Sequence, residues 1–403
     1  MTIVKLIPQP PKDNLIKSIM GFHNRETATV IKEFNGIQYF INEFWTSRQR
    51  QANRIHEISY RACFKPQLPA FFIDRLTRSG DIVYDPFMGR GTTPIEAALR
   101  GRIPYGNDIN PLSRALVEPR INPPSLCAIT QRLQSIPWDA FNTFLNNDLL
   151  AFFHPHTLAQ IEGLKKWLSE RQHTGRLDQV DKWIRMVALN RLTGHSSGFF
   201  SVYTLPPNQA ISVERQKKIN IERQQIPSFR DVPQLVLKKS KNLLSTVLPK
   251  ASEASFSNCE SYKTHKIPTK SVTLTVTSPP FLDVVDYESD NWLRCWFLGI
   301  DVKTVKISKY RRIDEWQDFI HKTLCELERI TKSGGYVVFE VGEIRNATLR
   351  LDEYVIAVTH NLSFEIIGVM INQQNFTKTS NCWGIYNNKV GTNSNRIVLL
   401  RRI

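Results

Sequence analysis

No stretch of roughly 18 or more consecutive apolar residues occurs in this chain, so a membrane-spanning helix is not expected. The opening residues, MTIVKLIPQPPKDNLIK, are too polar and too rich in proline for a secretory signal, and a cytoplasmic protein is expected. The six cysteines (Cys63, Cys127, Cys259, Cys295, Cys325 and Cys382) form no CxxC pair and no zinc spacing, so neither a disulfide scaffold nor a metal finger is indicated. His154, His156 and His195 have no acid or thiol partner at ligand spacing, so no metal site is expected. There is no internal repeat and no long low-complexity tract. Acidic residues are also in short supply, with 37 Asp+Glu against 53 Lys+Arg, a formal charge of +16. That excess suits a polyanionic partner, because each phosphate that is neutralised releases counterions.

What is present is ordinary globular composition, 41% hydrophobic and 22% charged over 403 residues. The length suffices for a full α/β domain plus a second domain or a large insertion. Residues 1–55 read as an N-terminal arm, Pro-rich at first and then basic at SRQRQANR. From Gly80 the pattern changes. Asp81-Ile82-Val83-Tyr84 reads as a buried strand, followed by a Gly-containing loop and a helix from Thr92 to Arg100 stopped by Gly101. A second short strand spans Ile103 to Ile109. The next such strand comes only near Ser255–Ser261, a gap of about 145 residues that must hold structure of its own. Leu158, Ile161, Leu164 and Leu168, then Val180, Trp183, Ile184, Val187 and Ala188, lie at helical spacing and make that gap mostly helical. Beyond Val272–Val276 the pattern predicts a helix over Ile313–Thr331, then strands over Tyr336–Val341, Glu365–Ile371 and Arg396–Leu400. Strands that alternate with helices indicate a doubly wound sheet.

Two segments carry chemistry. In DIVYDPFMGRGTT a strand ends in Asp85 and is followed by two close glycines, Gly89 and Gly91, and a helix start. Such a loop lets backbone approach a ligand and offers it unpaired N–H groups. Pro94 stands where a dinucleotide enzyme needs glycine, so the dehydrogenase fingerprint fails. Asp108 lies 23 residues beyond Asp85 at the next strand tip, where an acid accepts hydrogen bonds from ribose hydroxyls; a turn or cap role is the plainer alternative.

The second segment is Thr277-Ser278-Pro279-Pro280-Phe281, directly after a β-rich apolar run. Two prolines hold the strand end rigid. The Ser278 hydroxyl and the Pro279 carbonyl would then be two acceptors aimed at one amino group, with Phe281 free to stack on a planar base. Alternatively, this is a proline-terminated strand with a core phenylalanine.

Together these residues resemble the DNA amino-methyltransferases, the family that makes N4-methylcytosine or N6-methyladenine. DPFMGRGT looks like the cofactor loop of that family, placing Asp85, Phe87, Gly89, Gly91 and Thr92 around S-adenosyl-L-methionine, with Asp108 and Ile109 following. Within TSPPF, Ser278-Pro279-Pro280-Phe281 looks like its catalytic tetrapeptide, in the Ser form more typical of the cytosine-N4 branch. HEISYRACFKPQLPAFFI is similar to the motif that precedes the cofactor loop and would bring Phe64 and Pro66 to the cofactor. Asn258-Cys259 stands where the family has an acid next to the adenine. Thr392-Asn393-Ser394-Asn395-Arg396-Ile397-Val398 is similar to the family's last strand.

The resemblance covers about 60–120 and 255–403. It implies a doubly wound, seven-stranded, mostly parallel sheet, the S-adenosylmethionine-dependent methyltransferase fold, with one antiparallel strand near the end. The catalytic domain would comprise 56–115 and 251–403, and 116–250 would be a mostly helical insertion that recognises the target. The implied partner is double-stranded DNA, with a companion restriction endonuclease acting on the same site as a second expected partner. The implied reaction methylates N4 of a flipped-out cytosine; N6 of adenine, an RNA base and a non-catalytic DNA-binding relative are the alternatives. No Pro-Cys dipeptide occurs, which argues against a covalent cysteine mechanism.

Within 116–250 the loop from His195 to Gln209 interleaves Gly, Ser and aromatic residues beside the basic helix ERQKKINIERQ. Ser197, Tyr203, Arg215, Lys217 and Lys218 are its candidate DNA contacts, since hydroxyl, aromatic and cationic groups suit phosphates and grooves. A packed loop against a solvated helix face is the alternative. Asp286, Tyr287, Asn291 and Trp292 follow the tetrapeptide and either line a base pocket or belong to a helix.

Overall fold

In the computed structural model, residues 12–24, 27–45, 52–60, 63–141, 146–204, 211–280, 282, 287–305, 310–344, 349–373 and 394–403 are described. The chain opens with α1 (Lys12–Met20), a two-residue hairpin of β1 (His23–Asn24) and β2 (Thr27–Ala28), then β3 (Val30–Phe34) and β4 (Ile37–Asn42). After α2 (Gln67–Leu76) come β5 (Ile82–Asp85), α3 (Thr92–Leu99), β6 (Ile103–Asn107) and α4 (Pro111–Ile121). Among the described residues five α-helices follow: α5 (Leu126–Ser135), α6 (Pro155–His173), α7 (Gln179–Leu189), α8 (Val213–Glu222) and α9 (Val232–Leu243). The chain then returns through β7 (Ser255–Ser257), β8 (Val272–Thr277), α10 (Tyr287–Leu298), α11 (Ile313–Ile330) and β9 (Thr331–Val341). It ends with a small pair, β10 (Glu343–Ile344) and β11 (Leu349–Arg350), then α12 (Leu351–Thr359), β12 (Phe364–Gln373) and β13 (Ser394–Arg402).

Among the described residues, nine strands form one sheet in the order β3-β4-β12-β13-β9-β8-β5-β6-β7. From β9 to β7 every neighbour is parallel. β13 runs antiparallel to both β9 and β12. The seven strands from β12 to β7 are therefore the sheet that the resemblance implies, with its single reversed strand near the chain's end. The chain reverses its direction of travel across the sheet between β5 and β8, and a crevice opens beyond the carboxyl ends of those two strands.

The N-terminal segment is not a mere arm. β4 pairs in parallel with β12, and β3 closes on β4 as a hairpin, so two more strands extend the sheet. Asn35 and Gly36 both have positive φ, 52° and 74°, between Phe34 and Ile37, the turn that an Asn-Gly pair favours. That dipeptide was the available signal. It is easily passed over because β3 is exposed throughout and shows no alternation. Most of the basic SRQRQANR stretch lies outside the described residues.

β8 shows why a central strand reads clearly. All six residues of VTLTVT are buried, as a strand covered on both faces requires. Two of its three threonine hydroxyls find partners, on β5 and at its start: Thr277 Oγ1 donates to Asp85 Oδ1 at 2.7 Å and Thr273 Oγ1 to Asp81 Oδ1 at 3.1 Å.

The helices after α4 pack around Trp183, Ile184 and Val187 of α7. Leu158, Ile161 and Leu164 of α6 and Val236 of α9 join them in one apolar cluster that continues onto α4 and α10. Helix α4 spans position 115, so the helical segment begins past Ile121 rather than inside that helix. Asp178 and Asp181 form a capping box on α7, and the buried Asp181 carboxylate is paired with Arg132 and, at 2.6 Å, with Arg171. Among the described residues, no helix is long and apolar enough to cross a membrane.

Candidate active site

The crevice is built from four strand ends. Asp85 closes β5 fully buried, its Oδ1 accepting from Thr277 Oγ1 and, at 3.0 Å, from Phe87 N. Burial is the main influence on this carboxyl and raises it to about 7, with Asp108 adding repulsion. At the tip of β6, Asp108 takes the Gly89 N–H on Oδ2 at 2.9 Å and the Asn110 N–H on Oδ1 at 2.9 Å. Burial raises its pKa too. Asp108 therefore latches the glycine loop to the neighbouring strand, and each oxygen keeps acceptor capacity toward the crevice.

Asn107 ties the strand ends together. Its Nδ2 donates to Pro86 O (3.3 Å) and Cys259 O (2.8 Å), while its Oδ1 accepts from Ser257 Oγ (2.8 Å) and Cys259 N (3.1 Å). From below, Thr93 Oγ1 on α3 donates to Val276 O at 3.0 Å, joining the loop helix to β8. Arg120, fully buried on α4, donates to Leu116 O (2.8 Å), Ile55 O (3.0 Å) and Arg90 O. One guanidinium thus fixes the glycine loop, α4 and the segment upstream of the crevice.

One pocket joins these elements. Of the residues singled out from the sequence, Phe64, Asp85, Phe87, Gly89, Thr92, Asp108, Ile109, Cys259, Ser278 and Pro280 line it. Others do not reach it. Gly91 caps α3 with φ 82°, and a Cβ there would sit 2.3 Å from Val117 Cγ2, so its smallness serves packing of the loop on α4. Pro66 is buried at the start of α2. Asn258 is exposed and donates from Nδ2 to Asp108 O at 3.0 Å, which makes it a brace outside the wall. The Pro279 ring is buried between Ser278 and Pro280 of the lining, and Phe281 lies outside the described residues.

The pocket also recruits residues that the sequence did not single out: Tyr60, Cys63, Asn107, Glu260, Ser261 and Phe319. Tyr60 and Cys63 sit inside HEISYRACFKPQ, so that motif was their signal. Glu260, two residues past Asn258, supplies an acid at the end of β7. Phe319 comes from α11 and packs on Phe87, with ring centroids 5.7 Å apart; nothing local marks it out. Behind Ser278 stands Glu340, near the end of β9. It is buried, bonded to the Ser278 side chain, and accepts from Asn395 Nδ2 on Oε1 at 2.5 Å. Burial is the largest influence on Glu340 and raises its pKa, while the Ser278 and Asn395 hydrogen bonds lower it.

On the helical segment, Arg215, Lys217 and Lys218 are exposed on α8, whose other face buries Gln216 and Ile219. Lys217 Nζ is 4.0 Å from Asp148. Ser197 is exposed; Tyr203 is half-buried beneath the Arg223 guanidinium, 3.9 Å from its ring centroid, and its carbonyl accepts from Gln216 and Gln225. None of these lines the crevice. Asn291 and Trp292 belong to α10: Asn291 accepts from Arg294, and Trp292 Nε1 donates to Ile211 O at 3.2 Å. Asp286 lies outside the described residues. Among the described residues, no His, Cys, Asp and Glu cluster fit for a metal ion occurs.

Residues 9–116 match the N6/N4 methyltransferase family described as DNA methylase. The chain is 24% identical over 345 residues to the Type II methyltransferase M.BsoBI of Geobacillus stearothermophilus, covering 72% of this chain and 65% of that protein. It is 33% identical over 97 residues to M.MjaII of Methanocaldococcus jannaschii, 24% of this chain and 18% of the relative. Against M.MthZI of Methanothermobacter thermautotrophicus it is 35% identical over 101 residues, 24% of this chain and 28% of the relative. The chain therefore spans less than two thirds of the length of these curated relatives. The family match runs through β5 and the glycine loop to α4, and the reversed-strand sheet carries Ser278-Pro279-Pro280 beside that loop, so over that segment the chain is similar to the N6/N4 DNA methylase family.

Proposed function

We propose that this protein is an S-adenosyl-L-methionine-dependent DNA methyltransferase that modifies N4 of cytosine in a base swung out of the duplex. The observation that carries the reading is that a single pocket is lined by both the glycine-loop residues Asp85, Gly89 and Asp108 and by Ser278 of the tetrapeptide. The lining suits the cofactor chemically. Phe64, Phe87, Ile109 and Phe319 offer flat apolar surface for a purine, Asp108 has acceptors for ribose hydroxyls, and Asp85 and Glu260 offer carboxyls to cationic groups. When bound, the cofactor supplies an electrophilic methyl group on a sulfonium.

The chain's own contribution is to hold and polarise the amino group. Ser278 Oγ and the Pro279 carbonyl accept its two N–H hydrogens, which favours a pyramidal nitrogen with its lone pair available. Rigid placement supplies much of the rate. Trp316 Nε1 donates to Pro280 O at 3.0 Å, pinning the second proline of the tetrapeptide to α11. Phe281 stacks on the extruded base and offsets part of the unstacking cost. Residues 116–250 form the target-recognition region, with Arg215, Lys217 and Lys218 on phosphates and Ser197 and Tyr203 near them.

Mass spectrometry of nucleosides from DNA incubated with protein and cofactor tests the reading. N4-methylcytosine is the expected product. N6-methyladenine alone would move the target to adenine and leave the pocket's role intact, whereas no methylated base from any duplex or RNA substrate would overturn the activity.

A further inference from the structure

We propose that Asn395 is a positioning residue for methyl transfer: acting through Glu340, it sets the direction in which Ser278 offers its oxygen lone pairs to the target amino group. The inference rests on the reading of Ser278 as the acceptor of an amino N–H, and goes beyond it to what makes that hydroxyl an acceptor.

A serine hydroxyl has one proton and two lone pairs, and its proton rotates to suit its neighbours. Ser278 helps the reaction only if its proton points away from the substrate. Glu340, on the strand beside β8, is the group that takes that proton, provided its carboxyl is ionised. Burial works against ionisation, since Glu340 is only 4% exposed. Two hydrogen bonds oppose burial: one from Ser278 itself and one from Asn395 Nδ2 at 2.5 Å. Among the described residues, no ionised side chain acts on this carboxyl. The neighbouring cation on β13, Arg396, is committed to Asp352 through bonds of 2.6 and 3.0 Å. Across β8, Asp85 is occupied with Thr277. Asn395 is thus the donor, independent of Ser278, that holds the carboxylate charged and fixes which oxygen it presents. An amide serves better than a cation here, because it holds the carboxylate without a counter-charge beside a cationic methyl donor.

Removal of that donor has a specific consequence. The buried carboxyl takes up a proton at neutral pH, becomes a donor itself, and gives its hydrogen to Ser278 Oγ. The Ser278 proton then turns toward the amino group and meets another donor. The protein stays folded with its pocket filled, but the catalytic hydroxyl has the wrong polarity until the pH is raised.

The test compares Asn395→Ala, Asn395→Asp and Glu340→Gln with the full-length parent, each by kcat across pH 6–9.5, KM for S-adenosyl-L-methionine and thermal melting. For Asn395→Ala the acid limb of kcat is expected to move up by about one pH unit, with kcat about tenfold lower below that limb, near-parental rate above it, and KM for the donor within twofold. Asn395→Asp keeps the shape but replaces a donor with an acceptor, and moves the limb further. Glu340→Gln cannot ionise and loses rate at every pH. An unshifted acid limb in Asn395→Ala, with rate lost in proportion to melting temperature, would reduce Asn395 to a structural bond and overturn the proposal. Ser278→Ala, run alongside, separates the two levels: full activity there would overturn the underlying reading of Ser278, while a large loss there with no shift in Asn395→Ala overturns only the present inference.

Discussion

The crevice at the carboxyl ends of β5, β6 and β8 and the helical segment that follows α4 use polar residues in opposite ways. In the crevice, charged and amide groups are sunk into the fold and held by several bonds each: Asp85, Asn107, Arg120 and Glu340 are all at most 4% exposed. On α8 the cations Arg215, Lys217 and Lys218 stand in solvent. Where the helical segment buries a charge, as at Asp181, it is matched by two arginines and caps a helix. The difference teaches what each region can contribute. Buried, over-determined groups give fixed geometry and shifted ionisation, which chemistry at one atom demands. Solvated cations give long-range, salt-dependent attraction, which suits a polyanion.

The largest effect that sharpens this contrast is expected at Gly91. A valine there would drive its Cβ into Val117 and adopt a positive φ that β-branched residues resist. Loss of several °C or more in melting temperature is expected, with cofactor binding lost as a consequence. Pairing the milder Gly91→Ala with Val117→Ala should restore part of the stability of Gly91→Ala. If the double variant melts no higher than the single one, the packing role assigned to Gly91 is wrong.

Next comes Ser278→Ala, for which a fall in kcat of about a hundredfold is expected with little change in cofactor KM, because its hydrogen bond strengthens as the amino nitrogen pyramidalises. Equal losses in binding and turnover would make Ser278 a ground-state contact instead.

A smaller effect separates the other region. Replacing Arg215, Lys217 and Lys218 together by alanine should weaken DNA binding and flatten the plot of log affinity against log salt by up to about three. Cofactor affinity measured by calorimetry should not change. An unaltered salt slope would return α8 to the status of ordinary solvated surface.

The smallest expected effect is a pH dependence. Asp85 titrates near 7 because burial disfavours its charged form. A cationic ligand favours the anion, so binding of S-adenosyl-L-methionine should release protons around pH 7, and affinity should rise between pH 6 and 8 by at most about tenfold. For folding without ligand the sign is opposite. The raised pKa contributes stability below the ordinary carboxylate range that is lost as pH rises through about 7. Asp85→Asn should abolish the proton release seen in buffers of different ionisation enthalpy; persistence of the release would assign it to another group.

Much of the crevice was legible in the sequence because its parts are local. The stretch from β5 through the glycine loop to α3 is one continuous segment, and a strand followed by Ser278-Pro279-Pro280 declares its own end. Helix α7 could be read from Val180, Trp183, Ile184 and Val187 for the same reason: periodicity is a property of neighbours in sequence. Roles within those segments were less legible. Gly91 looked like a ligand contact and is a packing contact, since Val117 lies 26 residues away on α4. Asn258 looked like a wall of the pocket and braces it from outside, while Glu260 faces in.

By itself the sequence determined the kinds of elements, their order along the chain, and the two motifs that carry its resemblance to the DNA amino-methyltransferases. The tertiary structure alone decided which strands are neighbours. It set β4 in parallel with β12, making an apparent arm part of the sheet. It laid β9 against β8, bringing Glu340 behind Ser278 across 62 residues of chain, and β13 against β9, bringing Asn395 to Glu340. It swung α11 over the pocket so that Phe319 meets Phe87. Strand pairing joins segments far apart through backbone hydrogen bonds that any residue can make, so no side-chain pattern within one segment announces its partner. The residues that tune the site are held by that pairing, and for that reason they became visible only in the folded chain.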